Sequence, residues 1–210
     1  MMKPVYQISV IASMIFLLIY FVPTGGNTTV PAAEQQIEAA LTPLPESLQE
    51  GAKVLGYNED HELVTLREGS NEMICLADDP RDEDRFHVAC YYEDLEPFMK
   101  RGRELREDGK SSGEIEEIRR SEIESGDIPM PEKPMALYQL SGEEDSYDYS
   151  TSTLREASPL YVIYIPYATR ESTGMKTSPY GEGAPWLMDP GEPWAHIMVS
   201  PGTPLGEDVD

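Results

Sequence analysis

Residues 72–92 read EMICLADDPRDEDRFHVACYY, and this stretch decides the fold. It contains both cysteines of the chain, Cys75 and Cys90, and each lies in a short apolar run. A polar, acidic segment with one proline, residues 78–85, separates the two runs. Two strand-like runs joined by such a loop predict a pair of β-strands. We expect this pair, linked by a Cys75–Cys90 disulfide, to lie in the core of a small extracytoplasmic domain.

The start of the chain has the composition of an export signal. Lys3 precedes an apolar run, residues 8–22, that is shorter than the ~20 residues a spanning helix requires. This layout is typical of a secretory signal peptide, and a weak cleavage motif leaves an uncleaved anchor as the alternative. We therefore assign residues 1–30 to a signal peptide or N-terminal anchor, 31–201 to a single α+β domain and 202–210 to an acidic tail. The expected location is periplasmic or extracellular.

The chain is strongly acidic, with 39 acidic against 16 basic residues and a formal net charge of −23. Such a surface repels nucleic-acid phosphates and anionic lipid headgroups. We therefore expect no nucleic-acid partner, and membrane contact only through an uncleaved N-terminal segment. The charge is compatible with an unidentified small ligand, a divalent cation or a protein partner with a basic surface.

The two cysteines favour a disulfide over a metal site. An even pair in an exported protein is most often oxidised. A thiolate metal site is the alternative, but Cys75 and Cys90 are far apart and lack the CxxC spacing of such sites. Closing the loop between them would stabilise the fold by about 3 kcal/mol in the chain-entropy treatment.

Periodicity along the chain predicts an α+β fold. A predicted β-hairpin over residues 53–67 continues into the two cysteine strands as a meander of about four strands. Residues 94–109 and 111–126 form a predicted helical hairpin, and Ser111 and Glu114 make a capping-box pair at the second helix. The fold class is thus a mostly antiparallel sheet of about six strands, with a helical hairpin packed on one face and one disulfide.

The C-terminal half supplies the remaining strands. Residues 136–140 form a short predicted strand, and the polar, acidic stretch 141–158 is expected to be a mobile loop. The run LYVIYIPY, residues 160–167, is apolar on both faces and predicts a central strand. Residues 169–185 are expected to be a long loop, and residues 194–200 form the last predicted strand.

Strand alternation in that last strand identifies His196 as a candidate catalytic or metal-binding residue. Trp194, His196 and Met198 share one face, opposite an aliphatic face. If the aliphatic face meets the core, the three side chains line the opposite face or a pocket. His196 would then be a general base or a metal ligand. The alternative is a partly buried histidine that packs beside an aromatic ring and bonds to the backbone.

His87 is the second candidate. Alternation along its strand points it away from Cys90, and a surface position is the plain alternative. If the faces of the two strands coincide, His87 and His196 could meet, with Asp189 or Glu192 near in sequence to supply a carboxylate. The catalytic candidates are therefore His196, His87 and Asp189.

Two metal sites are conceivable. Asp78, Asp79 and Asp82 in the acidic loop could offer oxygen ligands to calcium, although the EF-hand spacing is absent. His196 and Met198 could hold copper, because imidazole and thioether suit that metal. Either Met188 or Met73 would complete the copper site. The plain alternatives are a solvated acidic loop and methionines that fill the core.

Sequence signatures of several enzyme classes are absent. Ser172, Ser178 and Ser200 lack the Gly-x-Ser-x-Gly elbow of a hydrolase nucleophile. The chain also has no P-loop, no dinucleotide fingerprint and no HExxH motif. No resident cofactor is expected beyond a possible divalent cation or copper.

Two patches resemble a group of exported bacterial proteins of unassigned function. The first is LREGSNEMIC, residues 66–75, and the second is GAPWLMDPGEPWAHIM, residues 183–198. The resemblance extends over about residues 37–201. It implies bacterial export, one domain and a shared role for the motif around His196, and it implies no activity.

Two functions from different classes follow. The first is a non-enzymatic extracytoplasmic binding or structural domain. The second is a secreted hydrolase or metal-dependent enzyme centred on His196. An enzyme requires His196 to open into a pocket with a second polar group in hydrogen-bond reach, whereas a binding or structural domain requires it packed and satisfied.

Overall fold

The structure is a computed structural model that describes residues 29–202. The apolar run of the expected signal peptide and nearly all of the expected acidic tail lie outside this range. No helix within it combines the length and the apolar character needed to cross a bilayer. The helices are α1 (Ala33–Leu41), α2 (Glu46–Gln49), α3 (Glu96–Glu107), α4 (Ser112–Ser125) and α5 (Arg170–Thr173). The strands are β1 (Lys53–Tyr57), β2 (Leu63–Arg67), β3 (Met73–Leu76), β4 (Phe86–Tyr92), β5 (Met135–Gly142), β6 (Tyr147–Asp148), β7 (Thr153–Leu154), β8 (Ser158–Tyr164), β9 (Trp186–Met188) and β10 (His196–Val199).

The described residues form an α+β fold around one eight-stranded sheet, in the order β2-β1-β3-β4-β5-β8-β10-β9. All neighbouring pairs are antiparallel except β1 and β3, which are parallel. The predicted α+β class and the mostly antiparallel sheet are confirmed. The predicted count of about six strands is too low, because a strand as short as the three-residue β9 shows no clear period-2 pattern.

The predicted four-strand meander is wrong, because β3 pairs with β1 and not with β2. The chain returns from β2 across the start of β1 through residues 68–72. Gly69 lies so close to β1 that a Cβ there would be 2.8 Å from the backbone nitrogen of Lys53. The backbone N–H groups of Ser70 and Asn71 both donate to the carbonyl of Gly51. This crossover places β1 inside the sheet and leaves β2 as its edge.

The disulfide lies at the centre of one sheet face. Cys75 and Cys90 are directly opposite each other in the β3–β4 register, both are 0% exposed, and their sulfur atoms are 2.04 Å apart. The predicted Cys75–Cys90 bond is confirmed. Because such bonds persist in oxidising compartments, it supports an extracytoplasmic location.

Helix α1 covers the disulfide face. Ala39 and Ala40 are 0% exposed, and the Ala40 carbonyl oxygen lies 3.1 Å from Sγ of Cys90. Gln36, which is 2% exposed, fixes the start of the helix to the end of β1. Its side chain donates to the carbonyl of Tyr57 at 2.9 Å and accepts from the Tyr57 amide at 2.8 Å. Both polar ends of this buried amide are therefore satisfied.

Helices α3 and α4 pack on the other face, so helices cover both sides of the sheet. Tyr91, Leu95 and Val162 belong to the core cluster beneath α3. A second cluster joins Phe98 of α3 and Ile123 of α4 to Trp194. The apolar residues of segment 32–51 share one helical face, and Pro43 and Pro45 interrupt it, which predicts two short helical pieces; the structure forms them as α1 and α2.

Candidate functional site

His196 begins β10 and shares a sheet face with its cross-strand neighbours Tyr164 and Met188. Trp194 and Met198 both belong to core clusters that contact helix α3. The face that carries these side chains is therefore the one that meets the helical layer. The sequence argument made a pocket around His196 conditional on the aliphatic face meeting the core; the structure buries both Ala195 of that face and Trp194 of the other. His196 is consequently packed, with 13% of its side chain exposed.

The ring of His196 is held by the backbone and not by an acid. Nδ1 lies 2.8 Å from the carbonyl oxygen of Trp194, so Nδ1–H donates and Nε2 is left as an acceptor. Asp189 Oδ2 is 4.0 Å from Nδ1, beyond hydrogen-bond distance, and instead accepts from the indole nitrogen of Trp194 at 3.1 Å. The structure thus brings His196 and Asp189 together without a direct hydrogen bond between them.

Trp194 is the residue on which the β9–β10 connection and α4 converge. It is 5% exposed, and its ring stacks on Phe98 with centroids 6.0 Å apart. The guanidinium group of Arg120 lies 5.2 Å from the same ring and forms an ion pair with Glu192 at 2.8 Å. Trp194 therefore packs between the sheet and helices α3 and α4.

His87 and His196 share a sheet face but do not meet. In the sheet register, His87 lies opposite Ser141, which in turn lies opposite Ser158. His196 lies opposite Tyr164. Six residues along β8 correspond to ~20 Å, and β5 and β8 lie between the two histidine strands. The conjectured histidine pair is therefore wrong. Burial lowers the pKa of His87, which keeps its ring neutral at neutral pH.

The acidic loop, residues 78–85, holds the three candidate calcium ligands in two ways: two form ion pairs and one accepts a backbone hydrogen bond. Asp79 forms an ion pair with Arg81 at 2.6 Å, and Asp82 forms one with Arg85 at 2.9 Å. Asp78 turns inward, where its Oδ1 accepts from the His87 amide at 2.7 Å. In residues 29–202, no three His, Cys, Asp or Glu side chains are placed to hold a metal ion.

The structure places the four residues of the conceivable copper site on two different sheet faces. Met188 is the cross-strand neighbour of His196, and Met198 lies on the same face two residues further along β10. Met73 belongs to the cluster around the disulfide, on the opposite face of the sheet. It therefore cannot join His196 at one metal ion.

Among the described carboxyl groups, Asp78 has the pKa that differs most from its ordinary value. Burial raises its pKa to about 7, and the nearby Asp82 and Asp79 add to the effect. The His87 amide and the Tyr149 hydroxyl, 3.4 Å from Oδ2, work in the opposite direction. A carboxyl group that changes charge near neutral pH is a frequent feature of functional sites.

A cavity of about 260 Å³ opens beside Asp78, between the acidic loop and the β6–β7 hairpin. We call it the acidic cavity. Its lining combines carboxylates with aromatic and proline rings. The carboxylates are Asp78, Asp79, Asp82, Glu83 and Glu144, the tyrosines are Tyr147 and Tyr149, and the prolines are Pro31 and Pro80.

Sequence reasoning missed the tyrosine side of this cavity. Residues 141–158 were expected to be a mobile loop, but they include β6, β7 and a helical turn at Glu144–Ser146. Tyr147 is 5% exposed and stacks on Phe86, with centroids 5.5 Å apart. The alternation of Tyr147, Asp148 and Tyr149 was a period-2 signal, but it was too short to stand out among turn-forming residues.

No protein-family model, no curated protein and no solved structure matches this chain.

Proposed function

We propose that residues 31–201 form a non-enzymatic extracytoplasmic binding domain whose ligand is a small organic cation held in the acidic cavity. The observation that carries this proposal is the convergence of five carboxylates and two tyrosines on one cavity of about 260 Å³. That volume suits a small molecule or a single long side chain.

The chemistry of the lining favours an ammonium or guanidinium group over a metal ion. Tyrosine rings add attraction for organic cations in particular, because the ring quadrupole is negative above the plane. The ring of Tyr147 already stacks on Phe86, so Tyr149 is the tyrosine left to contact such a ligand. Two of the five carboxylates, Asp79 and Asp82, are already paired with arginines, which leaves a hard metal ion few free oxygen ligands. The net charge of −23 would steer cations toward the protein.

Isothermal titration of the purified protein with spermidine and with arginine methyl ester tests the proposal. We expect saturable binding that weakens about tenfold in Glu144→Gln, because each charge-assisted contact is worth about 1.5 kcal/mol. Glu171→Gln is the matched control, since Glu171 is an exposed carboxylate on α5, away from the cavity lining. Absence of saturation by either cation, or equal weakening in both variants, would reject the acidic cavity as the site.

A hydrolase or metal-dependent enzyme centred on His196 is the alternative, and the geometry supports it less. Nδ1 of His196 is engaged with a carbonyl, and the Asp189 carboxylate is engaged with an indole. Metal analysis of native protein beside His196→Ala distinguishes the two functions. A stoichiometric metal that is lost in the variant, with the fold intact, would favour the enzyme.

A further inference from the structure

Arg119 lies in the groove between α3 and α4, and its guanidinium group contacts aromatic rings instead of a carboxylate. The guanidinium carbon of Arg119 lies 3.9 Å from the ring centroid of Phe98 and 5.9 Å from that of Trp194. Nη1 is 3.5 Å from the carbonyl oxygen of Phe98. Nε is buried and has no hydrogen-bond partner among residues 29–202. Burial lowers the pKa of this guanidinium group.

Three neighbouring arginines of α3 and α4 each form an ion pair with a glutamate. Arg101 pairs with Glu122 at 2.7 Å, and Arg103 pairs with Glu96 at 2.7 Å. Arg120 pairs with Glu192 at 2.8 Å. In the described part of the chain, neither Arg119 nor Arg106 has a carboxylate within the 4.0 Å that defines an ion pair.

Arg106 and Arg119 converge on the same point of the groove. A Cβ built on Gly102 would lie 3.0 Å from Nη1 of Arg119 and 4.0 Å from Nη2 of Arg106. The absence of a side chain at Gly102 therefore leaves room for Nη1 of Arg119, with the Arg106 guanidinium group beside it. Their mutual repulsion contributes to the lowered pKa of Arg119.

The charged groups near Arg106 and Arg119 do not offset the repulsion between these two side chains. Of the groups that act on Arg119, Tyr164 and Glu116 favour its charged form, and Arg106 opposes it. Tyr164 is itself neutral at physiological pH, because burial raises its pKa to about 12. Glu116 is exposed, so solvent weakens its attraction. Two guanidinium groups that converge repel each other unless an anionic group lies beside them.

We propose that Arg106 and Arg119 form a binding site for an oxyanion, the phosphate or carboxylate group of a ligand, over Gly102. Guanidinium groups bind such anions through paired N–H donors, and they do so more strongly when partly buried. This site lies on the opposite sheet face from α1 and does not depend on the acidic cavity. It therefore goes beyond the binding function proposed above.

Titration with inorganic phosphate, acetate and chloride, followed through the side-chain Nε–H signal of Arg119 by NMR, tests the site. We expect a saturable shift with phosphate or acetate and none with chloride, and the stronger of the two identifies the ligand class. Arg106→Gln should weaken binding about tenfold, since it removes one charge-assisted contact. Arg170→Gln, which removes an equally exposed positive charge on α5, should leave binding unchanged.

Gly102→Ala provides a second, independent variant. Its Cβ would displace Nη1 of Arg119, so anion binding should be lost while the backbone amide spectrum remains that of the folded protein. If no anion produces a saturable shift in the wild type, the proposal is overturned. It is also overturned if Arg170→Gln weakens binding as much as Arg106→Gln, because the effect would then be one of net charge.

Discussion

The indole nitrogen of Trp194 donates a hydrogen bond to the carboxylate of Asp189 over 3.1 Å, and this bond closes the connection between β9 and β10. Asp189 adopts a positive φ of 48°, which non-glycine residues adopt infrequently. The hydrogen bond helps to hold that backbone conformation. The turn places the indole ring against Phe98. Trp194 thus joins the sheet to the helices, together with the Arg120–Glu192 ion pair.

Replacing Trp194 should therefore loosen the contact between the sheet and α4. We expect Trp194→Ala to lower the free energy of unfolding by about 3–5 kcal/mol, the range for loss of a buried aromatic side chain. Urea denaturation followed by circular dichroism measures this. Tyr180→Ala, at a position 52% exposed, should change it by less than about 0.5 kcal/mol. Similar losses in the two variants would contradict the central role of Trp194.

The crossover at Gly69 should tolerate no side chain. We expect Gly69→Ala to cost about 1–3 kcal/mol, because its Cβ would press on the Lys53 backbone at 2.8 Å. Gly113→Ala is the control, since a Cβ there would meet nothing within 4 Å, and in the first turn of α4 it should be neutral or stabilising. Equal stability of the two variants in a urea titration would contradict the tight crossover.

The disulfide should contribute about 3 kcal/mol to the free energy of unfolding, because it closes a short loop of 15 residues. Urea titration with and without a reductant measures this contribution. In the native protein, thiol titration should detect no free cysteine, since both sulfur atoms are bonded and buried. Two reactive thiols in protein isolated under non-reducing conditions would contradict the bond.

Asp78 should make stability fall as pH rises toward neutrality. Its pKa is about 7 in the folded state and ~3.9 in the unfolded chain, so between these values the folded state retains a proton that the unfolded state has lost. Stability is therefore lost progressively from about pH 4 to pH 7. Asp78→Asn keeps an acceptor for the His87 amide and should be more stable than wild type above about pH 7 by about 1–3 kcal/mol.

That difference should vanish below about pH 4, where Asp78 is protonated in both states. Asp108→Asn is the control, because Asp108 is an exposed carboxylate at the end of α3, outside the acidic cavity. Thermal unfolding measured across this pH range compares the three proteins. Parallel pH profiles for wild type and Asp78→Asn would show that Asp78 titrates normally.

Local signals in the sequence predicted local structure well. The Ser111–Glu114 capping box is present at the start of α4, and Gly126 ends that helix in the left-handed conformation. The run at 160–167 supplied β8, which is an inner strand as predicted. The disulfide followed from the number of cysteines and the expected compartment. Each of these depends on residues close in sequence or on composition.

Apart from the short elements within residues 141–158 and strand β9, the errors concern pairings between distant parts of the chain. Nothing near β3 shows that it joins β1 in parallel, because that pairing depends on how residues 68–72 cross the start of β1. The separation of His87 from His196 likewise depends on the register of β5 and β8 between them. Alternation assigned each histidine to a face, but it carries no information about position along the sheet.

The edges of the sheet affect how the protein behaves at high concentration. One edge is β9, only three residues long, and the other is β2, whose pairing with β1 is interrupted by an irregularity between Val54 and Leu55. Long, regular edges are templates on which further chains add and grow into fibrils, whereas short or kinked ones are not. The protein should therefore resist amyloid-like self-association despite the breadth of its sheet.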